Sequence, residues 1–270
     1  MRKLTITEVQ MLLLDLMKIV HKFMNDNHLE YYLLGGSALG AIRHNGFIPW
    51  DDDIDIGMKR EDYEKFLAIS AQFDSKYEVV NFGNKNNCDY GLTRIYVNNT
   101  YIDNQAISRT KLDTRLYFDI FPLDNVPDDD KELAAFEKQI IKKKRIIQKI
   151  DARDYKTTKV KFLVKKLFSI FLQPFRQSIL RSFDRLMKKY RYSNTLKICS
   201  LCSQYSFKKQ VMMRTVYGVP TLHKFEDATF YIPENIESYL TTLFGADYME
   251  VPPVEKRRKG FDIYIIDEEQ

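Results

Sequence analysis

Cysteine is scarce in this chain: Cys88, Cys199 and Cys202 are the only three among 270 residues. A set that is both odd and sparse does not build a disulfide framework, so a reducing compartment is expected. Long apolar runs are missing as well. No stretch approaches the ~18 residues that a membrane span requires. The N-terminal run around Leu12-Leu13-Leu14 is cut by Asp15 and is too short for a signal peptide, which makes the cytoplasm the expected location. No internal repeat and no low-complexity segment is visible, which sets aside solenoids and disordered arrays.

What is present is ordinary in total and unusual in distribution. Hydrophobic residues make up 44% and charged residues 29%, as in a globular domain with a real core. Forty-two basic and 37 acidic side chains give a formal net charge of +5. Residues 138–191, however, hold 18 Lys/Arg against only Asp151, Asp154 and Asp184, a local excess of +15 that leaves −10 on the remainder. An acidic body is joined to a strongly basic segment, and such asymmetry points to an anionic surface.

Hydrophobic spacing predicts a helix over 7–27, with Thr7 and Gln10 as a capping box. A short buried strand, 31–34, runs into Gly35-Gly36-Ser37, and a brief helix follows over 38–44. Asp53-Ile54-Asp55-Ile56 alternates with period two and reads as a strand with both carboxylates on one face. A helix over 61–73 and strands at 77–82, 92–97 and 116–121 come next. Long basic helices occupy 129–191, interrupted near 151–158 and at Pro174. The tail from 205 reads as irregular, apart from a helix at 234–244. This order fits an α+β architecture, a mixed sheet with flanking helices, better than regular βαβ alternation. Three regions are expected: a catalytic core over 1–128, a basic helical region over 129–204 and a C-terminal segment over 205–270 that packs on the core.

The chemistry lies in the glycines and acids. Two carboxylates at i and i+2 on a strand share a face, with Cβ atoms roughly 6–7 Å apart, a separation at which both can bind a hard cation such as Mg²⁺ (or Mn²⁺). Without a cation the like charges repel. Gly35 and Gly36 let backbone N–H groups approach a phosphate, and Ser37 adds a hydroxyl at a helix start. Asp119, a lone acid in the apolar strand 116–121, is costly to bury without a catalytic use and is the candidate third carboxylate of a phosphoryl-transfer site. An EF-hand reading of Asp51, Asp53 and Asp55 fails, because Ile56 stands where glycine is needed and Asp62 where glutamate is.

Gly35-Gly36-Ser37-Ala38-Leu39-Gly40-Ala41-Ile42-Arg43-His44, followed by Gly46-Phe47-Ile48-Pro49-Trp50-Asp51-Asp52-Asp53-Ile54-Asp55, resembles the LicD family of phosphocholine transferases in the nucleotidyltransferase superfamily, to which fukutin-related protein is also similar. Phe118-Asp119-Ile120-Phe121-Pro122-Leu123-Asp124 and the late Tyr239-Leu240…Phe244-Gly245-Ala246-Asp247-Tyr248-Met249 extend the likeness over roughly residues 8–255. The resemblance implies a nucleotidyltransferase-like core and transfer of phosphocholine from CDP-choline to a sugar hydroxyl of a surface glycan precursor, of teichoic acid or lipopolysaccharide type. It implies that Asp53 and Asp55 bind Mg²⁺, and that Asp119 completes the metal site or takes the acceptor proton. Asp51 would help orient the acids. Arg43 would contact the diphosphate, and Trp50 would face the quaternary ammonium, although packing is an equally natural role for a lone tryptophan. Other substituted phosphates (phosphoglycerol, phosphoribitol) or a nucleotidyl group are alternative cargoes, and a scaffold without turnover is the non-enzymatic alternative.

Two features lie outside that pattern. Cys199-Ser200-Leu201-Cys202 is half of a zinc motif with no second pair, so core or surface thiols are expected. In Val160–Phe175 large apolar residues alternate with lysines that can snorkel, the pattern of a helix lying on an anionic membrane surface; an amphipathic helix docked on the body with a solvated basic face is the alternative. No nucleic-acid motif accompanies the charge. The expected partners are therefore a nucleotide-diphosphate donor, a lipid-linked glycan acceptor and the inner face of the cell membrane.

Overall fold

The structure, a computed structural model, describes residues 1–81, 83, 91–103, 113–150, 171–257 and 260–266. Strand β1 (Arg2–Lys3) leads into helix α1 (Ile6–Asp26). The capping box lies two residues earlier than the hydrophobic spacing predicts. The Thr5 hydroxyl accepts from the Glu8 amide and the Thr5 amide donates to the Glu8 carboxylate at 2.8 Å. Glu8 prevails because its carboxylate also accepts from Arg2 at 2.6 Å, a charge-assisted bond that Gln10 cannot make. Gln10 is used elsewhere. Its amide donates to the carbonyls of Ile48 and Asp51, tying the acidic loop to α1. Leu13, Leu16, Met17 and Val20 recur at helical spacing and are fully buried on the core side.

The central sheet contains β2 (Tyr32–Leu33), β3 (Asp55–Lys59), β4 (Tyr77–Val80), β5 (Thr93–Val97) and β7 (Tyr117–Val126), in the order β2-β3-β7-β5-β4. Beyond Leu123, β7 continues by pairing with β8 (Lys197–Cys199), which in turn pairs with β9 (Val211–Met213). β3 and β7 run parallel, and the other pairs of this sheet are antiparallel. Helix α2 (Gly35–His44) joins β2 to the acidic loop, and α3 (Arg60–Ile69) follows β3. The mixed sheet with flanking helices is the expected α+β architecture.

Two large hydrophobic clusters fill most of the interior, and a small one joins Val80 and Tyr96. The first joins α1 and the sheet to Tyr217, Phe225, Phe230, Tyr239 and Leu240 from the C-terminal third. The second is built where α4 (Asp130–Ile150) and α5 (Arg176–Met187) meet the sheet: Phe136, Ile140 and Ile147 pack with Leu180, Phe183, Met187, Val126, Cys199 and Cys202. Both cysteines are buried thiols. Burial pushes Cys202 up to about 12, and its Sγ lies 3.4 Å from the Met187 sulfur. They are packing groups, as expected of a lone pair.

Pro174 lies in a single 3₁₀ turn that precedes α5. The interruption at 151–158 and most of the apolar-basic run 160–175 fall outside the described residues.

The C-terminal third is more regular than its composition implied. Two short helices, α6 (Phe207–Gln210) and α7 (Arg214–Tyr217), precede a hairpin of β10 (Thr221–Phe225) and β11 (Ala228–Ile232). Helix α8 (Ile236–Phe244) follows, and β12 (Asp262–Ile265) pairs with both β1 and β6 (Thr100–Asp103). Only one residue in β12 and two in each hairpin strand at most are buried, so a period-two signal is nearly invisible there.

Candidate active site

The glycines and acids converge where β2, α2, β3 and β7 meet. Gly35 adopts φ +51°, a conformation that favours glycine, and this turn starts α2 directly from β2. Three hydrogen bonds fix the turn. The Leu34 amide donates to the Asp55 carbonyl, the Asp55 amide donates to the Ser37 hydroxyl, and the Gly35 amide donates to the hydroxyl of Tyr239 on α8, each at 2.9 Å. The N-terminus of a ten-residue helix therefore lies against Asp55, and a Cβ on Gly35 would stand 3.7 Å from the Asp55 carboxylate. Such a terminus favours negative charge, carboxylate or phosphate alike. Gly36 is required by a closer approach: a Cβ there would lie 2.6 Å from the Asp51 carboxylate.

Burial alternates along Asp51-Asp52-Asp53-Ile54-Asp55-Ile56, although the strand ladder begins only at Asp55. Asp51, Asp53 and Asp55 are half-buried on one side, while Ile54 and Ile56 are buried on the other. Asp52 points with the buried set and accepts from the amide of Phe261 at 2.7 Å, so it anchors the C-terminal segment. Carboxylate oxygens of Asp51, Asp52 and Asp53 all lie within 4.8 Å of one another.

Register brings the remaining charges together. Asp55 on β3 pairs with Asp119 on the parallel strand β7, and Asp119 pairs with Arg94 on β5. Partners across adjacent strands share a face, so Asp55, Asp119 and Arg94 form one row with a strand spacing of about 4.8 Å. Arg94 donates to both Asp119 oxygens, at 2.8 and 3.4 Å, and its guanidinium stacks 3.8 Å from the Tyr117 ring centre. Asp119 is buried, and this fork fixes its orientation. Sequence reasoning missed Arg94, which lies in an unremarkable strand and gains its role only from the β5–β7 pairing.

Arg43 and Trp50 stand at the far end of α2. Arg43 donates to the carbonyls of Tyr248 and Glu250 at 3.0 Å each, binding α2 to the late segment. The Arg257 guanidinium lies 4.1 Å from the Trp50 ring centre, so the chain itself places a cation on that indole. A recess beside Gly35 and Asp55 is closed by Ser200, Ser203, Tyr205, Gln210 and Tyr239. Of these only Tyr239 carried a signal in the sequence.

A mixed sheet that presents carboxylates from neighbouring parallel strands beside a glycine-opened helix suits phosphoryl transfer, and the comparisons with known proteins place the chain among phosphotransferases with a nucleotidyltransferase domain. The chain matches the LicD/FKTN/FKRP nucleotidyltransferase domain over residues 28–168 and belongs to that LicD family. It is 29% identical over 267 residues, 96% of each chain, to the lipopolysaccharide cholinephosphotransferase LicD of Haemophilus influenzae. An uncharacterised protein of Rickettsia prowazekii is 32% identical over 118 residues, 41% of this chain and 44% of that one. Human ribitol 5-phosphate transferase FKRP is 56% identical over 34 residues, 13% of this chain and 7% of its own.

Proposed function

We propose that this protein transfers phosphocholine from CDP-choline to a sugar hydroxyl of a cell-surface glycan precursor, with a divalent cation, Mg²⁺ or Mn²⁺, held at the acids. The observation that carries the reading is the pairing of Asp55 with Asp119 beside the start of α2. The donor set fits such a cation: Asp53 and Asp55, with Asp119 either completing the set or taking the acceptor proton, offer only hard carboxylate oxygens, with no cysteine or histidine among them. When bound, the metal neutralises the donor diphosphate and stabilises the departing CMP.

The chain's own groups do the rest. The α2 amides of Gly36 and Ser37 receive phosphate oxygens, while the Gly35 amide is held by Tyr239, and the Ser37 hydroxyl has its own proton left to donate. The acceptor hydroxyl oxygen attacks the phosphorus that bears choline. The bond from that phosphorus to the bridging oxygen breaks, CMP leaves with the bridging oxygen, and the acceptor proton passes to a carboxylate, for which Asp119, oriented by Arg94, is the candidate. CMP release from CDP-choline in the presence of Mg²⁺, dependent on acceptor, tests the reading. Asp55→Asn should lower the rate at least about 100-fold with an unchanged melting temperature. Near-normal turnover in that variant refutes the mechanism.

A second cargo has support in the likeness to ribitol 5-phosphate transferase. CDP-ribitol in the same assay separates it from phosphocholine. The acceptor is lipid-linked in this reading, and the enzyme meets it at the inner face of the membrane. Lys138, Lys142, Arg145 and Lys149 line one face of α4, and Phe171 and Phe175 are exposed nearby in sequence, a combination suited to an anionic lipid surface. No described helix is long and apolar enough to cross a membrane.

A further inference from the structure

The loop that closes the recess at Asp55 has a second recess on its other side. Ser200, Ser203 and Tyr205 also form the near wall of this second recess, whose far wall is α4 through Glu137, Lys144, Arg145 and Gln148. Arg145 and Ile141 in turn border the outer groove of α4 that carries Lys138, Lys142 and Lys149. A path of adjoining recesses thus leads from the basic face of α4 to the recess at Asp55, with loop 200–205 as the wall between the last two.

Two groups along this path are incompletely satisfied. Ser200 is only 3% exposed and lines both recesses, and its buried hydroxyl has no hydrogen-bond partner among the described residues. A buried hydroxyl without a partner is uncommon and costly. Lys144 is drawn inward to donate to the Ser203 carbonyl at 2.6 Å, which uses one of its three N–H bonds. Burial pushes its pKa down, and among the described residues no carboxylate lies within ion-pair distance of it. Arg145 is exposed at the mouth and offers a planar fork. Glu137 is the one acid on this wall, so Lys144 and Arg145 leave it net positive.

From this convergence we infer that the second recess is an acceptor subsite, in which Lys144, Arg145 and the Ser200 hydroxyl hold a phosphate group carried by the glycan acceptor, while the sugar hydroxyl reaches inward to Asp55 and Asp119. The inference rests on the transferase reading for the direction of approach. Phosphate is the matching chemistry because it supplies several acceptor oxygens to donors arriving from two separate chain segments. The acceptor, rather than the donor, is its source because the recess opens toward the basic face of α4, away from the Gly35–Ser37 turn.

The test is a binding measurement that needs no turnover. The probe is the water-soluble oligosaccharide obtained by deacylating a phosphorylated lipopolysaccharide, compared with the same oligosaccharide after chemical dephosphorylation. In calorimetric titrations, the unsubstituted protein should bind the phosphorylated probe more tightly than the dephosphorylated one. Lys144→Met should weaken the phosphorylated probe about 10- to 100-fold, and Ser200→Ala and Arg145→Gln severalfold. Binding of the dephosphorylated probe and of CDP-choline should be unchanged in all three. Arg145→Gln alters only an exposed side chain, so its result cannot be ascribed to misfolding. Equal affinity of the unsubstituted protein for both probes overturns the subsite. So does a weakened affinity for CDP-choline with unaltered oligosaccharide binding, which would put a donor phosphate there. A protein that releases no CMP from CDP-choline refutes the donor assignment, while the oligosaccharide affinities decide the subsite independently of it.

Discussion

The strands that carry the two central acids are fastened by a buried ion pair, and breaking it is the most quantitative test of the fold. Arg60 begins α3 immediately after β3, and Asp124 lies near the end of β7. The guanidinium donates to both carboxylate oxygens at 2.7 and 2.8 Å, with side chains 4% and 1% exposed. Glu64 accepts from Arg60, Lys188 pairs with Glu64 at 2.8 Å, and Lys188 also pairs with Asp184, so the network reaches α5. Asp124→Asn keeps the shape and removes one charge, which leaves a buried guanidinium short of its counter-ion. Loss of one partner from such a pair costs about 3–5 kcal/mol. At about 2–4 °C per kcal/mol for a chain near this size, the melting temperature should fall by about 6–20 °C. The double variant Arg60→Met/Asp124→Leu leaves neither charge and should recover most of the loss. Thermal and urea unfolding followed by circular dichroism read all three proteins. A loss below about 1 kcal/mol in Asp124→Asn, or a double variant no better than the single, refutes the view that a desolvated charge dominates this junction.

Two further outcomes follow from the site and its surroundings. Gly36→Ala should raise intrinsic helix preference by about 1 kcal/mol, yet its Cβ would stand 2.6 Å from the Asp51 carboxylate. CMP release should therefore fall at least about 10-fold while stability changes little, and unchanged turnover would show that Asp51 moves aside freely. The basic face of α4 should sediment the protein with vesicles containing phosphatidylglycerol but not with pure phosphatidylcholine vesicles, and binding should weaken as salt rises. Equal and negligible sedimentation with both vesicles removes the membrane from the scheme.

The parts legible in the sequence were those whose chemistry is local. Gly35-Gly36-Ser37 announces a turn that needs glycine, and the alternation through Asp55 sets Asp51, Asp53 and Asp55 on one side, although the strand itself begins only at Asp55. Asp119 was visible as a single acid in an apolar run. Arg94 was not, because only the antiparallel register of β5 with β7 brings it beside Asp119 across 25 residues. Ser200 and Gln210 escaped for the same reason: their neighbours at the recess come from β2, β3 and α8. Gln10 was assigned to a cap by spacing, whereas its long-range bonds to the acidic loop are stronger claims on the side chain. Cys199 and Cys202 could be read directly as thiols rather than bridges, since their scarcity is a matter of composition rather than of packing.

The bond from the Gly35 amide to the Tyr239 hydroxyl spans 204 positions, and the bond from Phe261 to Asp52 spans 209. Protein synthesis runs in one direction, so the acids leave the ribosome long before the groups that hold their loops in place. A nascent or prematurely terminated chain carries Asp53, Asp55 and Asp119 without the braces that orient them. Under the proposed mechanism, competence for phosphoryl transfer waits for Tyr239 and then Phe261, and a chain cut before Tyr239 holds the acidic motif without its finished frame.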